Sequence, residues 1–228
     1  MFKLILLNQN LESIKVLCNC ILNEIPDVQL SGICTSIEEF DELFTKVNPD
    51  IILMNYSDYI SSKYSNKSEF KKLRIIFYDT PHKSKNSSKQ VFISTRASLT
   101  EIKNSISKLV ANENIRLVRK KIIKWLEAFQ FDFKLIGTTY LVECILYCYE
   151  NKSDYVFENL EKNVYPQVAK ICHNSLKHVK WSVTRAVKNM NSHMNASVQK
   201  QLSNIFSLDF SEKITTKPLI NTIVAKLN

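Results

Sequence analysis

Glycine is almost missing from this chain: two of 228 residues, Gly32 and Gly137. Loops that wrap a phosphate in backbone N–H groups, such as GxGxxG or GxxxxGK[ST], need several, so those loops and most nucleotide-binding enzymes are excluded. No apolar run approaches the roughly 20 residues of a membrane span. The opening MFKLILLNQN has too short an apolar stretch for a secretion signal and no small-residue cleavage site, so it reads as a first strand. A cytoplasmic protein is expected. The six cysteines, at 18, 20, 34, 144, 148 and 172, include no CxxC pair and read as buried thiols. Cys144 and Cys148 share a helix face, but nothing near them completes a zinc set. No metal, no cofactor and no nucleophile–base constellation is expected, and hence no enzyme.

What is present is globular. Hydrophobic residues make up 45% and charged residues 23%, and the length suits one large or two ordinary domains. The net charge of +9 is uneven. Residues 1–110 hold 14 basic and 12 acidic side chains, a net of +2. Residues 111–228 hold 17 and 10, a net of +7, so a polyanionic partner would meet the second half.

The first half alternates strand and helix patterns. KLILL (3–7), VQLSGIC (28–34), DIILMN (50–55), LRIIFY (73–78) and QVFIS (90–94) read as strands. Helical spacing runs through Leu11, Ile14, Leu17 and Ile21, again over 36–47 behind a Ser36 N-cap, and again from about Ser98 to Val110. This alternation predicts a doubly wound parallel sheet. It is an eroded one: 61–72 is polar and weakly helical, and 79–90 reads as a simple loop with no room for a full helix. The second half reads as six helices, at 115–129, 134–150, 163–173, 175–190, 196–206 and 217–227, with Trp125 in their core. The expected division is a first domain 1–110, a linker ANENIR at 111–116 and an all-α domain 117–228.

Three segments in order carry a resemblance: LIGTTYLVECILYCYENK (135–152), VYPQVAKICHNSLKHVKWSVTRAVKN (164–189) and TKPLINTIVAKL (216–227). Behind a receiver-like half, they resemble the stage-zero sporulation master response regulators of endospore-forming bacteria. The resemblance implies a phosphoacceptor receiver joined to a DNA-binding helix-turn-helix effector domain.

Set beside that family, the receiver half lacks its chemistry. The acidic pair that holds Mg²⁺ falls on Asn8 and Gln9, and the phosphoacceptor on Asn55. Asp79 stands near the hydroxyl position and Ser94 near the lysine position. Neutral amides hold Mg²⁺ poorly, and an amide is no nucleophile for phosphoryl transfer. Asp58 and Asp79 are the nearby carboxylates and read as solvated loop acids. The half is therefore expected to be a pseudo-receiver with no phosphorylation.

Segment 170–188 holds Lys170, Lys177, Lys180, Arg185 and Lys188 without one acid. Asn174-Ser175 supplies a turn and an N-cap for the second helix, whose outward face is then Lys177, His178, Lys180, Trp181, Thr184, Arg185 and Lys188. In a helix-turn-helix that face meets the major groove. The resemblance places the family's base-reading Glu and two Arg on Lys180, Trp181 and Thr184, so altered specificity is expected. His173, His178 and His193 could touch phosphate but read as plain surface histidines. The expected function is a phosphorylation-independent DNA-binding transcriptional regulator. The alternative is an interaction protein that antagonises a genuine regulator through mixed dimers or shared partners. The expected partners are DNA and a second copy or a related regulator. RNA polymerase joins them through 196–206, the segment matching the family's polymerase-contacting helix, although Lys200 is its single charge.

Overall fold

The computed structural model describes residues 1–62, 72–79, 87, 89–151, 159–206 and 213–227. They form two units, Met1–Asn114 and Ile115–Asn228.

The first unit is a five-stranded parallel sheet in the order β2-β1-β3-β4-β5. Its elements are β1 (Phe2–Leu7), α1 (Leu11–Glu24), β2 (Val28–Cys34), α2 (Ile37–Val47), β3 (Ile51–Asn55), α3 (Tyr56–Ser61), β4 (Leu73–Tyr78) and β5 (Gln90–Ser94). The helix α4 (Leu99–Ala128) follows. β3 shows why its sequence is a continuous apolar run. Ile51 and Leu53 face a layer built from α1 and the first part of α4, while Ile52 and Met54 face Phe40 of α2 and Tyr59 of α3. A strand buried on both faces has no solvent side on which to place polar residues.

Local chemistry fixes the helix starts. The Ser36 hydroxyl accepts from the Glu39 N–H, and the Glu39 carboxylate reaches past the cap to the N–H and hydroxyl of Thr35. Those bonds hold the Glu39 carboxyl below its usual range. At α4, Ser98 and Glu101 form the reciprocal pair, each side chain accepting from the other's backbone N–H.

Residues 111–116, expected as a linker, are helical and lie inside α4. The stretch ANENIR contains neither glycine nor proline, so nothing in it stops a helix already under way. The readings of 61–72 and 79–90 fall largely outside the described residues; β4 and β5 on either side of the latter pair in parallel. The helix α3 is a single short turn-and-a-half that the sequence reading did not separate from its strand.

The second unit comprises the rest of α4, then α5 (Ile136–Glu150), a π-helical turn (Leu160–Val164), α6 (Tyr165–Ile171), α7 (Leu176–His193), α8 (Ala196–Phe206) and α9 (Thr216–Leu227). Its core gathers apolar residues from all of them. Gly137 sets its closest approach: a Cβ there would lie 2.0 Å from the Ser182 carbonyl oxygen, so α5 and α7 meet backbone to backbone. Arg119 of α4 forms a two-pronged ion pair with Glu143 of α5, with one arm at 2.8 Å. Trp125 is half-buried, edge-on to Phe206 at 5.2 Å with the Lys121 ammonium over its ring. The Asn191 amide donates to the Ile214 carbonyl and accepts from the Ile214 N–H, pinning the chain that enters α9 to α7. Among the described residues, no helix is long and apolar enough to cross a membrane.

Candidate nucleic-acid interface

α6 and α7 form a helix-turn-helix built by short-range bonds. Pro166 sits in the first turn of α6, where its missing N–H removes no helical bond. The helix stops at Cys172, and His173 takes a left-handed backbone, φ 49°. The Asn174 N–H donates to the Ala169 carbonyl, and its side-chain amide donates to the Tyr140 hydroxyl at 3.0 Å, tying the turn to α5. Ser175 is the N-cap of α7, its hydroxyl accepting from the His178 N–H, as its position in the sequence suggested.

α7 buries Val179, Val183, Ala186, Val187 and Met190. Its other side carries Lys177, His178, Lys180, Trp181, Arg185 and Lys188, all exposed, with Thr184 half-buried among them. The structure therefore brings these side chains onto one face. It also adds two contacts that the sequence reading left out. The Lys180 ammonium pairs with Glu161 of the π-helical turn at 2.6 Å. The Arg185 guanidinium lies 5.2 Å from the centre of the Trp181 ring, and Trp181 is 59% exposed. The second contact was legible as an i,i+4 spacing. The first was not, since Glu161 comes from a different element. Thr184 spends its hydroxyl on the Lys180 carbonyl, and the His178 ring meets Tyr140 edge-on. His193 bonds the Asn189 carbonyl within its own helix.

In the first unit, a cavity opens over the carboxyl ends of the strands, and Asn8, Asn55 and Asp79 line it together. Gln9 is exposed and Ser94 accepts from the Arg96 N–H; neither lines the cavity. Past the end of β5, Thr95 and Ala97 line it, and the Thr95 hydroxyl donates to the Asp79 carboxylate at 2.6 Å. Asn8 is buried and its amide oxygen accepts from the Asn10 N–H. Asp58 is buried as well, and its burial pushes the carboxyl upward, against the solvated loop acid expected for it.

This donor set suits a hard divalent cation poorly: Asn8 and Asn55 offer neutral amides, and of the two carboxylates lining the cavity, Glu12 and Asp79, Asp79 is already engaged by Thr95. Among the described residues, no three His, Cys, Asp or Glu side chains come together as a metal set. All six cysteines are free thiols.

Residues 122–227 match the family described as sporulation initiation factor Spo0A C terminal. No curated protein matches the chain.

Proposed function

We infer, from a helical unit whose residues 122–227 match the Spo0A C-terminal family, that this protein is a DNA-binding transcriptional regulator acting without phosphorylation and at a site of its own. The observation that carries the reading is the outward face of α7. Four cations, Lys177, Lys180, Arg185 and Lys188, project from a helix whose opposite side is locked into the core. Lys and Arg contribute phosphate attraction whatever the sequence beneath them. Base reading falls to the side chains near the helix start and middle. There a lysine donates to guanine, and Trp181 packs on a sugar or a thymine methyl instead of making an arginine's two-pronged contact. The receiver-like half then serves for dimerisation or partner docking, and α8 supports RNA polymerase contact.

One observation favours a second reading. Trp181 stands exposed with Arg185 against it, and Trp and Arg are the usual anchors of protein interfaces. A chain using that pair on a protein would act as an antagonist of a genuine regulator. The two readings separate in a DNA selection from a random library, using the natural chain and a Lys180→Ala/Arg185→Ala variant. A recovered motif that the variant loses establishes site-specific reading. Retention that weakens steeply with salt and yields no motif leaves general phosphate attraction. No retained DNA overturns the proposal in favour of a protein partner.

A further inference from the structure

The cavity at the carboxyl end of the first unit's sheet carries the amides Asn8 and Asn55 at its strand ends. It lies at the ends of β1 and β3, where the strand order reverses and where open α/β sheets bind ligands. One wall is apolar. Val16 of α1, Ile60 of α3 and Leu99 of α4 all line it while remaining 44%, 56% and 45% exposed. Single exposed aliphatic residues are ordinary, but three from separate helices at one opening form a concave apolar surface.

The other wall is polar and has no positive charge. Its charged members are Glu12 and Asp79; no Lys, Arg or His among the described residues lines it. A phosphoryl group there would meet two acids and no counter-ion. Asn55 stands at the N-cap position of α3, yet its side chain does not cap the helix. A carboxamide held this way offers a donor and an acceptor side by side. Tyr56 and Tyr78 add aromatic surface beside it.

We propose that this cavity binds an uncharged cyclic small molecule bearing an amide-type donor–acceptor edge. The Asn55 carboxamide reads that edge, and Val16, Ile60 and Leu99 cover the ring. An apolar pocket with a few converging polar groups is the usual form of a small-molecule site. The inference rests on the loss of phosphoryl chemistry at this cavity, not on DNA reading by α7, so each stands or falls by its own assay.

The test is a titration of the ¹⁵N-labelled full chain with two neutral lactams, 2-quinolinone and δ-valerolactam, and with inorganic phosphate as the charged comparator. Saturable shifts of the Asn8, Asn55 and Thr95 amides are expected with at least one lactam and not with phosphate. Asn55→Leu should weaken that binding about tenfold, the loss of one well-formed buried hydrogen-bonding edge. Ile60→Trp, which fills the mouth and leaves the amide edge alone, should weaken it too, with both variants retaining the natural circular dichroism. Three results would overturn the proposal: no saturable shift with either lactam, unchanged binding in both variants, or phosphate producing the same shifts.

Discussion

The carboxyl end of the sheet and the outer face of α7 differ in what constrains their side chains. At the sheet, the strands pair in regular parallel register beneath a cavity where the neutral amides Asn8 and Asn55 stand. On α7, charge is abundant, and Lys180 and Trp181 stand side by side on the exposed face, neither of them offering an arginine's fork. Burial explains the difference. The strands cannot vary because both faces are packed, whereas polar side chains at their ends answer only to ligand chemistry. On an exposed helix face no packing holds any residue type, and general attraction to phosphate asks only that the sum stay positive.

The contrast between the units is open to direct attack at their two glycines, and the largest effect is expected there. Gly137→Ala places a methyl 2.0 Å from a backbone oxygen of α7, which a rotamer change cannot relieve. We expect a loss of about 1–3 kcal/mol in urea unfolding of the second unit, an overpacking value. Gly32→Ala meets the end of the Leu43 side chain at 2.1 Å, which can turn away, so a loss below about 1 kcal/mol is expected. Equal losses at the two sites would erase the distinction.

Alkaline unfolding follows in size. Burial pushes the Cys148 thiol from 9.0 up to about 12 and the Tyr165 phenol from 10.0 up to about 12, both in the second unit. In the first unit, burial first and Glu39 second push Cys34 up to about 11. Each group stays protonated in the folded chain after its unfolded counterpart has ionised. Stability is therefore undiminished below about pH 9 and falls as pH rises from there towards 11–12. Unfolding followed across that window should show the second unit losing more than the first.

Restoring the acid sharpens the contrast at the cavity. Asn55→Asp alone should take up no phosphate from acetyl phosphate by intact mass, because Asn8 and Gln9 still offer neutral oxygens. Uptake by that single variant would show that the pocket had lost only its nucleophile. The smallest effect is expected at Glu161. Its pair with Lys180 is solvent-exposed on both sides, so Glu161→Gln should leave stability within about 1 kcal/mol. DNA affinity should rise a few-fold at low salt as Lys180 is released and an acid removed. A fall in affinity would mean that Glu161 positions Lys180 for its contact.

Much of this was legible in the sequence. β4 and β5 begin and end where their apolar runs do, Ser36 and Ser175 cap the helices predicted for them, and the six helical segments of the second half are all present. What was not legible shares one cause: its signal was not local. The division between the units falls at 114/115, inside the expected linker, but that the linker is helical is set by what lies on either side of it. The π-helical turn carries no periodicity of its own. Thr95 and Glu161 gain their places through Asp79 and Lys180, partners 16 and 19 residues away. Asn8, Asn55 and Asp79 were named by position and line the cavity, but which amide was left unspent could be seen only in three dimensions.

Gly137 has a consequence beyond stability. With no side chain between α5 and the Ser182 carbonyl, α7 rests directly on the backbone of its neighbour. A helix seated that closely can neither rotate by a residue nor slide by a turn without driving a side chain into the contact. Its outward letters are then free to be rewritten while the angle at which they are presented stays the same. A change of vocabulary at Lys180, Trp181 and Thr184 would not require the reader to be docked anew.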